Sequence, residues 1–251
     1  MSSVVRIDAR AFDNCTSLEI EDLSLPNLET LGQNAFYGVK IKKISNLGKI
    51  TALPVGSGTT QNFGDKSTLE EVVLPDTITS IPSYSFQSYN VLNKIDLPNS
   101  ITSINQDAFY GCSSLSIIVS LPNLKTIGLR AFHKSGITRI ENLGSITVIT
   151  KSNTGNNANG CFGECKSLVF ARIPATCIEI GDGAFAGTSL RTLIVENTTP
   201  PKLGNRAIYQ NPIASGVGFI YVPDASVTAY REASGWSAYA DRIKPLSEYT
   251  E

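Results

Sequence analysis

The residue types that most often carry catalysis or bind metals are sparse in this chain. His133 is the only histidine, so no histidine pair can hold zinc and no H-E-x-x-H motif can form. The sequence also lacks G-x-S-x-G, the motif that presents the nucleophile in one large class of hydrolases. Residues 58–67 resemble a phosphate-binding loop, but five residues rather than four separate the glycines, and Asp65 precedes Lys66 where phosphate would bind. We therefore expect an insertion loop there.

Paired carboxylates would be another route to hydrolysis, and Glu71 with Asp96 is the pair that the sequence offers. Nothing in the sequence around them predicts the shifted pKa of a general acid or base. We therefore predict that the chain is not an enzyme and uses no cofactor.

The five cysteines have a simpler explanation than metal binding. Cys15, Cys112 and Cys165 each follow a phenylalanine by three residues, which favours small, buried apolar side chains. Cys161 and Cys165 form C-x-x-x-C, but the neighbourhood lacks the two further ligands that zinc needs. We predict no metal site, and a disulfide at Cys161 or Cys177 stays an open alternative for an exported protein.

A ladder of phenylalanines indicates which elements position these residues. Eight of the ten phenylalanines recur at spacings of 24, 27, 23, 23, 23, 30 and 23 residues. They are Phe12, Phe36, Phe63, Phe86, Phe109, Phe132, Phe162 and Phe185. A fixed period of this length is typical of a tandem-repeat solenoid, in which neighbouring repeats bury one another's apolar face.

The repeats share the frame I-x-x-x-A/S-F-x-x-C-x-x-L-x-x-I-x-L-P, seen best in residues 81–103 and 104–126. The L-x-x-I-x-L part predicts a parallel strand, and the following proline ends it because proline cannot donate to a ladder. The A-F-x-x-C part predicts a turn or one short helix on the opposite side. His133, which follows a ladder phenylalanine, is expected on the surface of that convex side.

This frame resembles the BspA-type leucine-rich repeats of bacterial cell surfaces. I-Y-V-P-x-x-S-V-x-A-Y-x-x-A-x-G-W, beginning at Ile220, is also similar to the closing segment of many such proteins. The expected fold class is α/β: a right-handed leucine-rich-repeat solenoid of about nine coils, with a parallel strand ladder on the concave face and short helices or turns on the convex face. Residues 1–202 would form about eight coils, with insertions at 54–62 and 150–161. An atypical coil and a C-terminal cap would occupy 203–251.

A second, longer period relates residues 24–63 to 120–162, four coils apart. Both blocks place N-L-G-K/S-I-T before an insertion rich in Gly, Ser, Thr and Asn. Loop length alone destabilises a fold only slowly, so each insertion is either tolerated or functional. Their recurrence favours two protrusions on one rim.

Charge and hydropathy restrict the partners. Lys plus Arg number 21 and Asp plus Glu 22, so the net charge of -1 disfavours nucleic acid and anionic membranes. No run of 18 apolar residues and no signal peptide occur, which leaves either a cytoplasmic protein or an exported one whose signal lies outside this sequence. We favour the second, because residues 7–12 already belong to a repeat. The resemblance implies a secreted or surface-located bacterial protein, which we expect to be a monomer.

The strand positions that point away from the core form the candidate binding surface. These concave-face residues are Lys43, Glu71, Lys94, Asp96, Arg139, Glu141, Phe170, Arg172 and Thr192, with Ser45, Val73 and Ile194 beside them. Phe170 and Arg172 are the expected anchors, because aromatic residues and arginine dominate interface hot spots. The resemblance implies an adhesion-type module that binds a protein, such as a host matrix or cell-surface protein. A glycan-binding protein and a passive spacer are the alternatives.

Overall fold

The structure, a computed structural model, describes residues 3–57, 59–150 and 159–250. In this part of the chain the strands are β1 Arg6–Ile7, β2 Glu19–Ser24, β3 Thr30–Leu31, β4 Lys40–Asn46, β5 Glu71–Val73, β6 Ser80–Ile81, β7 Lys94–Asp96, β8 Ser103–Ile104, β9 Ile118–Ser120, β10 Thr126–Ile127, β11 Arg139–Asn142, β12 Val148–Ile149, β13 Phe170–Ile173, β14 Glu179–Ile180, β15 Thr192–Val195, β16 Lys202–Leu203, β17 Phe219–Val222 and β18 Ile243–Pro245. The helix α1 spans Val227–Glu232, and 3-10 helices span Asp224–Ser226, Ser237–Arg242 and Leu246–Glu248.

The strands stack into ladders in which every pairing is parallel. The long ladder consists of β2, β4, β5 and β7, followed by β9, β11, β13, β15, β17 and β18. The amide of Ser116 donates to the carbonyl of Asn93 at 3.3 Å, which links the two parts. Shorter ladders pair β1 with β3, then β6, β8 and β10, then β12, β14 and β16. With ten strands in the long ladder, this arrangement makes about ten coils over the described residues, close to the nine expected, and it confirms the leucine-rich-repeat solenoid.

Stacked aromatic rings fill the interior between the long ladder and the convex side. From Phe63 to Phe185 each ladder phenylalanine is fully buried. Successive ring centroids lie 5.0 to 5.7 Å apart with interplanar angles of 1° to 13°. The rings stack because one repeat in the sequence advances the chain by one coil, which is also why a single repeat could not bury its own face.

The convex side of each coil is a turn, the first of the two structures that the A-F-x-x-C stretch allows. In most coils the residues two before and two after the ring have positive φ, as at Asp107 (55°) and Gly111 (73°) around Phe109. Repeated positive φ interrupts a right-handed helix. The ring residue's amide instead donates to the next coil, from Phe109 to the carbonyl of Ala131 at 2.8 Å.

The N-L-G segments of the longer period form a specific turn. Asn46 Oδ1 accepts a hydrogen bond from the amide of Gly48 at 2.7 Å, and Asn142 Oδ1 accepts one from Gly144 at 2.8 Å. Both glycines have positive φ, and a Cβ on Gly144 would lie 2.4 Å from the carbonyl oxygen of Leu124. Glycine is therefore required there by both conformation and space.

The first insertion packs against its neighbours, with no helix or strand in residues 54–57 and 59–62. Asn62 replaces the usual alanine and is buried; its Oδ1 accepts from the amide of Asn34 at 2.8 Å, and its Nδ2 donates to the carbonyl of Pro54 at 2.9 Å. The departure from the repeat frame at Asn62 thus ties the insertion to the preceding coil. Most of the second predicted insertion, 150–161, lies outside the described residues.

Two expectations about convex residues are wrong. His133 is buried rather than on the surface, because its ring stacks on Tyr110 at 5.4 Å and the backbone of Gly160 in the next coil lies against it. Cys15 is exposed rather than buried, since among the described residues no coil packs on the outer side of the first one. Cys112 and Cys165 are buried as predicted, and all five cysteines are free thiols.

The closing segment covers the last coil. Trp236 is fully buried, and its indole donates to the carbonyl of Pro201 at 2.7 Å. Tyr230 packs edge-on against it at 5.1 Å and donates to the carbonyl of Asn197 at 3.0 Å. Ser226 stands at the N-cap of α1, but its hydroxyl donates to the carbonyl of Thr198 instead of capping the helix. After α1 the chain returns and adds β18 to the long ladder.

Candidate functional site on the concave face

The outward-pointing side chains of the long ladder form the surface that we call the concave face. The strand register aligns Lys43, Glu71 and Lys94 in one row, and Arg139, Phe170 and Thr192 in the continuation of that row. Asp96, Glu141 and Arg172 lie two residues further along their strands and belong to a second row. The nine predicted residues therefore occupy two adjacent rows of one face.

The N-terminal half of the first row alternates in charge. Asp22 is aligned with Lys43, Lys43 with Glu71, and Glu71 with Lys94. Lys43 Nζ and Glu71 Oε2 lie 3.4 Å apart, and both side chains are partly exposed. Such pairs contribute about 0 to 1 kcal/mol each, so this half is a solvated surface whose charges a partner can reach.

The strand register also determines how Glu71 and Asp96, the carboxylate pair that hydrolysis would require, lie relative to each other. Asp96 is aligned with Val73, whereas Glu71 is aligned with Lys94 and forms its ion pair with Lys43. Glu71 therefore lies between two lysines and is paired with one of them, which is not the arrangement of a general acid with a general base.

The C-terminal half carries arginines and aromatic rings. Phe170 is only 2% exposed, although its strand position points away from the core as predicted. The Arg139 guanidinium lies 4.0 Å from the ring centroid of Phe170, and the Tyr249 ring packs at 6.1 Å. The expectation that Phe170 is an exposed anchor is wrong, because these two side chains cover it. Ile194, in the next row, is also fully buried.

Tyr249 reaches this place because the chain continues from β18 across the concave face. Its ring also meets Tyr221 edge-on at 5.2 Å. Arg139 donates to Glu141 Oε1 at 2.6 Å, and its guanidinium lies on the Phe170 ring that Tyr249 also contacts. The hydrogen bond to Glu141 is the main reason that the pKa of Arg139 is raised. Arg139 is therefore held in place by a carboxylate and an aromatic ring.

These side chains border a groove of about 570 Å³. Its lining residues are Arg139, Glu141, Val169, Phe170, Arg191, Thr192, Tyr249 and Thr250. The sequence interpretation missed Arg191 and Tyr249. Arg191 precedes the strand positions that were considered, and Tyr249 lies in the segment that has no repeat period.

A family comparison agrees with the repeat architecture. The family model of the BspA type leucine rich repeat region matches in six copies, over residues 1–57, 59–159 and 143–215. The chain belongs to the BspA-type leucine-rich repeat family.

Solved structures with this fold include other bacterial leucine-rich-repeat proteins. A leucine-rich repeat protein from Bacteroides ovatus is 24% identical, with a TM-score of 0.48 over 63% of this chain and 44% of its own. The pneumococcal vaccine antigen PcpA is 16% identical, with a TM-score of 0.44 over 98% of this chain and 58% of its own. A leucine rich cell surface protein from Faecalibacterium prausnitzii is also 16% identical, with a TM-score of 0.42 over 96% of this chain and 76% of its own.

This BspA-type chain thus spans less than two thirds of the first two of those structures. No curated protein matched its sequence. Among the residues that the structure describes, no helix is long and apolar enough to cross a membrane. Within the same residues, no cluster of three or more His, Cys, Asp or Glu side chains is arranged to hold a metal ion.

The predicted site residues of this BspA-type solenoid fall into two groups. Lys43, Glu71, Lys94 and Asp96 lie in the charged half, and Arg139, Glu141, Phe170 and Thr192 border the groove. Arg172 stands next to the groove, where its guanidinium donates to Glu196 Oε1 at 3.0 Å.

Proposed function

We propose that this solenoid is a secreted or surface-located bacterial module that binds a protein partner across its concave face. The observation that carries the proposal is the cluster of Arg139, Arg172 and Tyr249 around the buried Phe170 ring, with Tyr221 packed against Tyr249. Arginine and tyrosine side chains held by packing are typical of interface hot spots, because little conformational entropy is lost when a partner binds them.

The charged half supports the same function in another way. Its row of alternating charges offers both signs of charge to a partner. Complementary charges of this kind determine how the partner is oriented on the face more than how tightly it binds. An adhesion-type role, with a host matrix or cell-surface protein as partner, fits the family. The proposed surface location likewise rests on the family.

Glycan binding is the less favoured alternative. Sugar rings stack on open aromatic faces, whereas Phe170 is covered by Arg139 and Tyr249, and Trp236 is buried in the cap. The Phe170 and Trp236 rings are thus already used for packing within the chain.

The test compares two double variants that remove the same amount of charge. Arg139→Ala with Arg172→Ala changes the concave face, and Lys49→Ala with Lys125→Ala changes two exposed lysines outside its rows. Purified candidate host matrix and cell-surface proteins are titrated over the immobilised chain, and circular dichroism verifies the fold of each variant. We expect saturable binding that weakens at least about 10-fold in the arginine variant, as loss of hot-spot residues does, and is unchanged in the lysine variant.

Three outcomes would count against the proposal. Equal binding by both variants would exclude this part of the concave face. Binding that disappears when the partner is deglycosylated would favour the glycan alternative. No binding by any candidate protein would favour a passive spacer.

A further inference from the structure

The segment that closes the solenoid also builds part of its concave surface. After β18, residues Leu246–Glu248 form a 3-10 helix, and Tyr249 lies against Phe170 and Tyr221. The segment is tied down, because the amide of Ser247 donates to Asp224 Oδ1 at 3.0 Å. The hydrogen bonds from Ser247 lower the pKa of Asp224, which keeps this carboxylate charged as an acceptor. The groove beside Tyr249 is therefore a preformed surface.

The charges in the groove do not balance. Among the described residues that line it, Glu141 is the only acid, and that carboxylate is bound to Arg139. Arg191 supplies a second guanidinium, for which the described part of the chain shows no side-chain hydrogen bond or ion pair. Its backbone is fixed on both sides, since its amide donates to the carbonyl of Val169 and its carbonyl accepts from Phe219, both at 2.9 Å. The positive charge of Arg191 is thus carried by a fixed backbone position directly before β15.

Neutral hydrogen-bonding groups accompany that charge. The hydroxyls of Thr192, Tyr249 and Thr250 line the same groove, together with the arginines. A guanidinium binds a carboxylate through two parallel hydrogen bonds, and neighbouring hydroxyls can satisfy its remaining lone pairs. A dianionic phosphate or sulfate fits less well, because Glu141 reduces the net charge of the described lining residues to about one positive unit.

We propose that this groove receives an Asp or Glu side chain of the protein partner, bound by Arg191 and flanked by Tyr249. This inference rests on the proposed function, and it names the partner's contacting group. The closing segment then covers the core with Trp236 and also lines one side of the binding groove with Tyr249.

The direct test uses a blocked acidic peptide as the probe. Acetyl-hexaglutamate-amide is titrated into the full chain, with acetyl-hexaglutamine-amide as the neutral control of the same shape. Both peptides lack a free terminal carboxylate, so binding reports side-chain carboxylates alone. Binding is followed by NMR of the arginine Nε–H signals. We expect saturable shifts of Arg191 with hexaglutamate only, at millimolar affinity.

Three variants separate the groove from general attraction between charges. Arg191→Ala is expected to weaken hexaglutamate binding at least 10-fold, and Arg191→Lys to restore only part of it, because lysine keeps the charge without the two-pronged geometry. Lys125→Ala removes one exposed charge elsewhere and is expected to leave binding unchanged. Wild-type affinity in Arg191→Ala, or equal shifts with hexaglutamine, would overturn the inference.

Partner binding by Arg191→Ala and by the Arg139/Arg172 variant distinguishes the Arg191 contact from binding across the concave face. A partner protein that binds Arg191→Ala as tightly as wild type, yet is lost in the Arg139/Arg172 variant, would overturn the inference and leave the proposed function in place. A partner lost in both variants, and displaced by hexaglutamate, would support both.

Discussion

The stacked phenylalanines make a quantitative prediction about where the solenoid is held together. Phe109 is fully buried and stacks on two neighbours, Phe86 at 5.3 Å and Phe132 at 5.0 Å. Replacing a buried Phe by Ala destabilises a protein by about 3 to 5 kcal/mol, and each aromatic pair adds about 0.5 to 1.5 kcal/mol beyond burial. We therefore expect Phe109→Ala to lower the free energy of unfolding by about 5 kcal/mol, a large share of a typical domain's stability.

Phe12 provides the matched comparison. It lies at the first coil, is partly exposed, and has one stacking partner, Phe36 at 5.4 Å. Because it has less burial and a single neighbour, Phe12→Ala should lower the free energy of unfolding by only about 1 to 2 kcal/mol. Phe109→Leu, which keeps most of the volume but no ring, should fall between the two alanine variants.

Guanidinium unfolding followed by circular dichroism measures all three variants against the unmodified chain. The slope of the transition shows whether the chain still unfolds as one unit, as the comparison of free energies requires. Equal losses for Phe109→Ala and Phe12→Ala would refute the reasoning, because they would mean that neither burial nor the number of stacked neighbours determines the stability of a coil.

Two further predictions concern buried groups on the convex side. Burial lowers the pKa of His133 from 6.5 to about 4, so the unfolded chain takes up a proton first as the pH falls, and stability decreases between about pH 6.5 and pH 4. The denaturation midpoint of His133→Tyr, matching Tyr110 in the preceding coil, should therefore depend less on pH over this range, and an equal dependence would contradict the assignment. Burial also raises the pKa of the Cys112 and Cys165 thiols to about 12, so a thiol reagent at pH 8 should modify Cys15 alone in the folded chain and all five thiols in guanidinium. Rapid modification of a second thiol in the folded chain would show that the convex side opens readily.

The repeat frame was readable from the sequence because each coil contacts mainly its neighbours. The spacing of Phe86, Phe109 and Phe132 predicted their stacking, and Pro75 and Pro98 marked strand ends that the structure confirms at Val73 and Asp96. In a one-dimensional solenoid the environment of a residue follows from its offset in the repeat. The offset of a residue in the repeat therefore predicts both its local structure and its tertiary environment.

That relation ends where the end of an insertion or the closing segment makes the contact. The offset of His133 predicted exposure, but Gly160, at the end of the second predicted insertion, lies against it. The offset of Phe170 likewise predicted an open anchor.

The sequence alone thus determined the ladder, its interior and the two rows of outward positions, since these depend on neighbours at a fixed period. Only the tertiary structure decided that Tyr249 covers Phe170 and borders a groove with Arg191. The physical reason is that the closing segment has no period. Where its chain returns depends on the packing of Trp236, the pairing of β18 and the hydrogen bond between Ser247 and Asp224, and no repeat offset encodes these contacts.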